Sequence, residues 1–173
     1  MKPALVHSSP TGFRSIQELK KMNGPTKDVV SILNNLIETC KDGQEGFKTC
    51  AEDIKNPELK ALFTKHAQEC AHAAGELQAE VIALGGTPED STSVSGDLHR
   101  RWVDVKSIFT GKDEEAVLNE AERGEDVALK AYKEALAEPL PANVYAIIER
   151  QFHGVQRNHD QIKALRNIAR ATS

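Results

Sequence analysis

Four long stretches of this sequence carry apolar side chains at alternating spacings of four and three, and proline or glycine punctuates their ends. That periodicity buries one stripe of an α-helix and suits no other element. The first stripe runs Val29, Leu33, Leu36, Cys40, Gly43, Phe47, Cys50, Ile54. Thr26 is a good N-cap for it, and Asp28 places negative charge in the first turn, where the helix dipole favours it. Asn56-Pro57 then supplies the N-cap and first position of a second helix, whose broad face includes Leu59, Phe63, His66, Cys70, Leu77 and Val81. Gly85-Gly86 offers a left-handed stop. With a linker this short, the two helices fold back as an antiparallel hairpin.

A polar stretch over 86–95 leads to a shorter amphipathic segment with Leu98, Trp102, Val105 and Phe109. It reads as a helix at 97–110 inside a long crossover. Asp113 caps a third long helix with Val117, Leu118, Ala121, Glu125, Ala128, Tyr132 and Leu136 inward. Pro139 and Pro141 break it. The fourth helix carries Val144, Ile148, Gln151, Val155, Asn158, Ile162, Leu165 and Ala169. No stretch alternates at period two for long enough to be a strand. Hairpin, long crossover, hairpin is the order of an all-α, ferritin-like antiparallel four-helix bundle. Residues 1–25, interrupted by Pro3, Pro10, Gly12, Gly24 and Pro25, read as a flexible N-terminal extension, with at most two helical turns from Ser15 to Met22. The bundle domain spans 26–171.

Composition narrows the function classes. Lys and Arg total 22 against 26 Asp and Glu, a net charge of −4 that argues against nucleic acid as a partner. No apolar run approaches the roughly 18–20 residues of a membrane span, so no membrane partner is expected. Three cysteines without a CxxC spacing make no disulfide framework and fit a reducing, cytoplasmic setting. Trp102 on the crossover is a candidate anchor, onto the bundle or onto a second subunit. A homo-oligomer, most simply a dimer, is the expected assembly.

In a bundle the informative residues are polar groups aimed at its axis, because buried charge needs a partner. Glu69-Cys70-Ala71-His72 is an E-x-x-H, the spacing by which one helix offers a carboxylate and an imidazole to a metal. Glu125 lies mid-stripe on the third helix with Glu122 one turn back. Glu69, His72, Glu122 and Glu125 are therefore the candidate metal ligands, with His66 and His159 behind them. Iron or another divalent metal suits that donor set. The competing account keeps Glu125 buried against Arg123, Arg157 or a histidine, without metal. A di-iron centre needs carboxylates from all four helices. Here Glu38, Glu45 and Glu52 fall on the outer side of helix one, and Glu149 and His153 on the outer side of helix four. Cys40 and Cys70 face inward at one height, as small buried apolar residues or as a redox pair. Gly43, Gly46, Gly75, Gly124 and Gly154 interrupt helix interiors at about 1 kcal/mol each, for close backbone approach or around a site.

Several runs together are familiar: Leu36-Ile37-Glu38-Thr39-Cys40-Lys41-Asp42-Gly43, Pro57-Glu58-Leu59-Lys60-Ala61-Leu62-Phe63, Ala121-Glu122-Arg123-Gly124-Glu125-Asp126 and Arg157-Asn158-His159-Asp160. Over 26–170 the chain resembles an uncharacterised bacterial family of ferritin-like four-helix-bundle proteins, classed as a domain of unknown function. The resemblance implies the ferritin-like fold and no established activity. Ferritin-like relatives often bind two irons, and this chain departs from their ligands on helices one and four. The functional expectation is a ferritin-like protein binding metal at a di-iron-like or degenerate site in a stress-related role. The alternative is a metal-free structural or partner-binding bundle. Histidine phosphotransfer is disfavoured, since neither His72 nor His153 is followed closely by lysine and glycine. Whether the chain is an enzyme is left open by these residues.

Overall fold

The computed structural model describes residues 16–90 and 114–172. They form four helices: α1, Ile16–Asp53; α2, Pro57–Ala83; α3, Glu114–Leu136; and α4, Ala142–Thr172. The expected crossover helix at 97–110 and Trp102 lie outside the described residues. Among the described residues there is no strand, and no helix is long and apolar enough to cross a membrane.

The boundaries follow local chemistry. The Asn56 side chain accepts hydrogen bonds from the backbone N–H groups of Glu58 at 3.0 Å and Leu59 at 3.3 Å, capping α2 ahead of Pro57. Asn56→Ala should lower stability by about 1 kcal/mol, read as a shift in the urea midpoint with unchanged slope. At the other end of α2, Gly85 has φ of 76°. The Gly86 N–H bonds back to the Val81 carbonyl and the Gly85 N–H to that of Ile82, both at 2.9 Å, the Schellman arrangement that glycine allows. One boundary differs from expectation. Thr26 is not an N-cap, because α1 begins ten residues earlier and runs through Gly24 and Pro25. Leu19, Lys20, Lys21 and Met22 are good helix formers, and Pro25 removes one hydrogen bond without ending the ladder. The division at residue 25 therefore falls inside a helix.

α1 packs on α2 and α3 on α4, while α1 also packs on α3 and α2 lies beside α4. The start of the crossover is tied to the first hairpin. The Asn34 amide donates to the Thr87 carbonyl at 3.1 Å and its oxygen accepts from the Glu89 N–H at 2.9 Å, while Gln78 donates to the Glu89 carbonyl at 3.1 Å.

The apolar stripes do meet, but in two separate cores. One joins Leu33, Leu36, Ile37, Leu77, Val81, Tyr132, Val144 and Ile148. The other joins Phe47, Cys50, Leu59, Phe63, Val117, Leu118 and Ile162. Between them, near mid-height, the packing is interrupted by a cavity of about 380 Å³ lined from all four helices.

Candidate functional site

Each helix contributes to the cavity through the side of its stripe that is small or polar. α1 presents Cys40 and Gly43; α2 presents Glu69, Cys70 and Ala73; α3 presents Gly124 and Glu125; and α4 presents Gln151, Gly154 and Asn158. The mid-helix glycines sort into the two roles open to them. A Cβ on Gly43 would stand 3.1 Å from the Cys70 Sγ, so α1 and α2 meet closely there. Gly124 and Gly154 line the cavity, and a Cβ on Gly154 would stand 3.8 Å from the Arg157 guanidinium. Gly75 meets nothing within 4 Å, and nothing in the structure explains it.

Glu125 is the residue that stands out. It is 4% exposed and faces the cavity, and it makes no hydrogen bond or ion pair among the described residues. Burial, reinforced by the carboxylates of Glu69 and Asp126, pushes its pKa up to about 8. Arg123 pairs with Glu120 at 2.7 Å, and among the described residues no ion pair joins Glu125 to Arg157, which lines the same cavity. The charges acting on it among the described residues are negative, so Glu125 keeps its proton up to about pH 8.

A hydrogen-bonded chain borders the same cavity. The Cys40 Sγ lies 3.2 Å from the Tyr132 hydroxyl, which donates to the Gln151 Oε1 at 2.8 Å. The Gln151 amide donates to Glu76 at 2.8 Å and to the Ala73 carbonyl at 3.3 Å. Glu76 closes the chain at the surface on Arg150, 3.0 Å away. Burial raises the Glu76 pKa, but the hydrogen bonds from Gln151 and Arg150 outweigh it and leave the net shift downward. Burial also pushes Cys40 up to about 11 and Cys70 well above the usual thiol range. All three cysteines are free. Alkylation at pH 8 should therefore leave Cys40 and Cys70 largely unmodified in the folded protein and label all three after denaturation, counted by mass spectrometry.

The candidate ligands are distributed as follows. Glu69 and Glu125 line one cavity. Glu69 sits at its edge, accepting from Asn158 at 2.9 Å with Lys65 at 3.6 Å. His72 is on the rim, its side chain 76% exposed and 3.9 Å from Glu76. Glu122 lies apart from them in the α3–α4 seam. Arg166 stands 3.2 Å from it, and His159, 3.9 Å from it, is closer to Asp126 at 3.1 Å. His66 is fully buried, with the Phe47 ring packed edge-on at 5.2 Å between centroids and the Gln161 side chain nearby. Burial lowers its pKa and keeps it neutral.

Glu76 and Arg150 escaped the sequence reading. Their one signal was position: Glu76 lies seven residues after Glu69, and Arg150 precedes the inward Gln151. Neither falls on an apolar stripe.

Four antiparallel helices in two hairpins, with a cavity at mid-height lined from all four, define a ferritin-like four-helix bundle. Solved structures agree on the fold. A dodecameric thioferritin, the bacterioferritin-related protein from Bacteroides fragilis, superposes with a TM-score of 0.69 at 17% identity, covering 91% of this chain and 97% of that one. A two-domain protein from Anabaena variabilis, with DJ-1/ThiJ/PfpI-like and ferritin-like domains, superposes with a TM-score of 0.68 at 19% identity. That match covers 83% of this chain, which spans only 40% of the Anabaena protein. No curated protein matches. Residues 28–138 match the family described as Domain of unknown function (DUF2383), and the chain belongs to that family.

A ferritin-like fold raises the matter of a di-metal centre, and the donors here do not fit one. Carboxylates reach the cavity from α2 and α3 alone, whereas α1 offers the protonated thiol of Cys40 and α4 the amides of Gln151 and Asn158. Among the described residues no group of three or more His, Cys, Asp or Glu is arranged to hold a metal ion.

Proposed function

We propose that this protein is a ferritin-like bundle that binds a small ligand in its central cavity. The observation that carries the reading is the buried Glu125 carboxyl, without a partner among the described residues, facing a space of about 380 Å³. Pockets of this size accept small molecules. A polar group left unsatisfied in a dry interior is costly unless something meets it. A second reading places one divalent ion, iron or another, between Glu69 and Glu125. It is favoured by two carboxylates facing one cavity with no cation between them. Glu122 would take no part, because Arg166 already engages it.

The two readings separate in one experiment. Chelator-treated protein is dialysed against Mn(II), Fe(II) or Zn(II), and in parallel titrated with small aromatic probes while backbone amide shifts are followed by NMR. Probe-induced shifts centred on Ala73, Glu125 and Val155, with no stoichiometric metal retained, are the expected result. Stoichiometric metal that Glu125→Gln abolishes would establish the ion reading instead. No shift and no metal would defeat both.

Assembly as a homo-oligomer belongs to the same proposal. It is supported by the dodecameric state of the Bacteroides protein. A dimer is the simplest such assembly, and a monomer mass by light scattering at high concentration would overturn it. Free cysteines in the core support a reducing, cytoplasmic location.

A further inference from the structure

The seam between α2 and α4 is built differently from the others. α4 meets α3 through ion pairs as well as apolar packing: Arg170 with Glu115 at 2.7 Å, Arg166 with Glu122 and His159 with Asp126. α2 meets α4 through polar rungs. Asn143 donates to Glu80 at 3.2 Å, Arg150 and Gln151 donate to Glu76, and Asn158 donates to Glu69 at 2.9 Å. The Glu76 and Glu69 rungs are seven residues apart on α2, about 10 Å along the helix. Between them Ala73 and Gly154 lie on the cavity wall, which His72 and Arg157 also line. The space where a Gly154 side chain would begin is open, the nearest atom being the Arg157 guanidinium at 3.8 Å. The rungs therefore frame a window walled by two small residues, with the exposed His72 and Arg157 side chains at its mouth.

The interior behind the window is selective by chemistry. Phe47, Val127, Ala128 and Val155 supply apolar walls. The Tyr132 hydroxyl is already engaged with Cys40 and Gln151. Among the described residues, Glu125 is a deeply buried polar group facing the cavity for which no hydrogen bond or ion pair is found. A carboxyl group buried without a cation and close to a second carboxylate is held in its protonated form, and a protonated carboxyl donates a hydrogen bond.

We propose that the window between α2 and α4 admits an uncharged, largely apolar ligand bearing one hydrogen-bond acceptor, which it sets against the Glu125 carboxyl. This rests on the cavity being a binding site, and it adds the route of entry and the class of ligand. An anionic ligand is disfavoured beside Glu125, where the charges acting among the described residues are the carboxylates of Glu69 and Asp126, while Arg157 stands out at the window.

The test uses the full chain and three probes of nearly one size: acetophenone, α-methylstyrene and benzoate. Acetophenone and α-methylstyrene differ in a carbonyl against a methylene, so their ratio reports the acceptor. Affinities are measured by NMR titration for the unmodified protein, Glu125→Leu and Gly154→Phe, with Ala73→Leu as the second window variant should Gly154→Phe fail to fold. Acetophenone should bind about fivefold tighter than α-methylstyrene, the worth of one hydrogen bond, and benzoate should bind weakest. Glu125→Leu should abolish the ratio while both aromatics still bind, and the folded window variant should weaken both by at least about tenfold. Equal binding of the two aromatics, or benzoate binding as tightly as acetophenone, overturns the ligand class and leaves the cavity reading standing. Unchanged affinities in the window variant overturn the route. Failure of both aromatics to bind removes the cavity reading itself, and this proposal with it.

Discussion

Glu125→Gln should stabilise the folded protein, and the gain should grow with pH. The buried carboxyl of the native chain keeps its proton up to about pH 8, against an ordinary value of 4.5. Between those two values the native state binds more protons than the unfolded state. The contribution of this group to stability is thus complete below about pH 4.5, declines as pH rises, and is lost above about pH 8. Glutamine has the same shape and never ionises. Variant and parent should melt together near pH 4 and separate steadily above it. The difference should reach roughly 3–5 kcal/mol by pH 9, since each unit of displacement is worth about 1.4 kcal/mol. Chelator-treated protein followed by urea denaturation at a series of pH values measures it. Parallel stability curves would mean that Glu125 ionises normally, and so is not buried without a partner.

The second large effect is expected at Tyr132, which is 1% exposed and links Cys40 to Gln151. Tyr132→Phe keeps the ring and removes the hydroxyl. It leaves the Gln151 carbonyl oxygen buried without its donor, at about 1–3 kcal/mol. Adding Gln151→Leu should recover part of that loss, because the orphaned acceptor goes too. It would recover less than all of it, since Glu76 and the Ala73 carbonyl then lose the Gln151 amide. A double-mutant cycle by chemical denaturation gives the coupling directly. Strict additivity would show that the Tyr132–Gln151 bond contributes nothing.

Together these substitutions ask what the mid-height interruption is for. A bundle selected only for stability would extend the upper core of Leu36, Leu77 and Ile148 into the lower core of Phe47, Phe63 and Ile162. This one instead sets small residues, two thiols and an unpartnered acid between them. Such a local sacrifice of packing and polar satisfaction is the pattern expected of a site.

Much of this was legible in the residues alone. Val29, Leu33, Leu36, Cys40, Phe47, Cys50 and Ile54 were placed inward by spacing, and all are buried. The same holds for Glu125 and Gln151, whose burial follows from their phase on α3 and α4. Asn56-Pro57 and Gly85-Gly86 announced their caps because capping is local chemistry. Helix periodicity states which side of each helix is inward, and hairpin lengths state which helices are neighbours. The fold follows from those two facts.

Which polar groups meet was decided by tertiary structure. Glu69 and Glu122 sit at comparable heights by residue counting, yet one reaches Asn158 and the other Arg166. Periodicity locates a side chain on its own helix only to within tens of degrees, and the stripe drifts by about 20° per heptad. The rotation and axial shift of one helix against the next come from how whole faces interlock, a property of four stripes at once. The same reasoning explains Glu76 and Arg150. Both lie beside the apolar face, where a small rotation separates a solvated charge from one that closes the seam. The sequence by itself therefore determined the helices, their order and the inward position of Glu125. Only the packing of the helices left Glu125 without a partner among the described residues and opened a cavity in front of it.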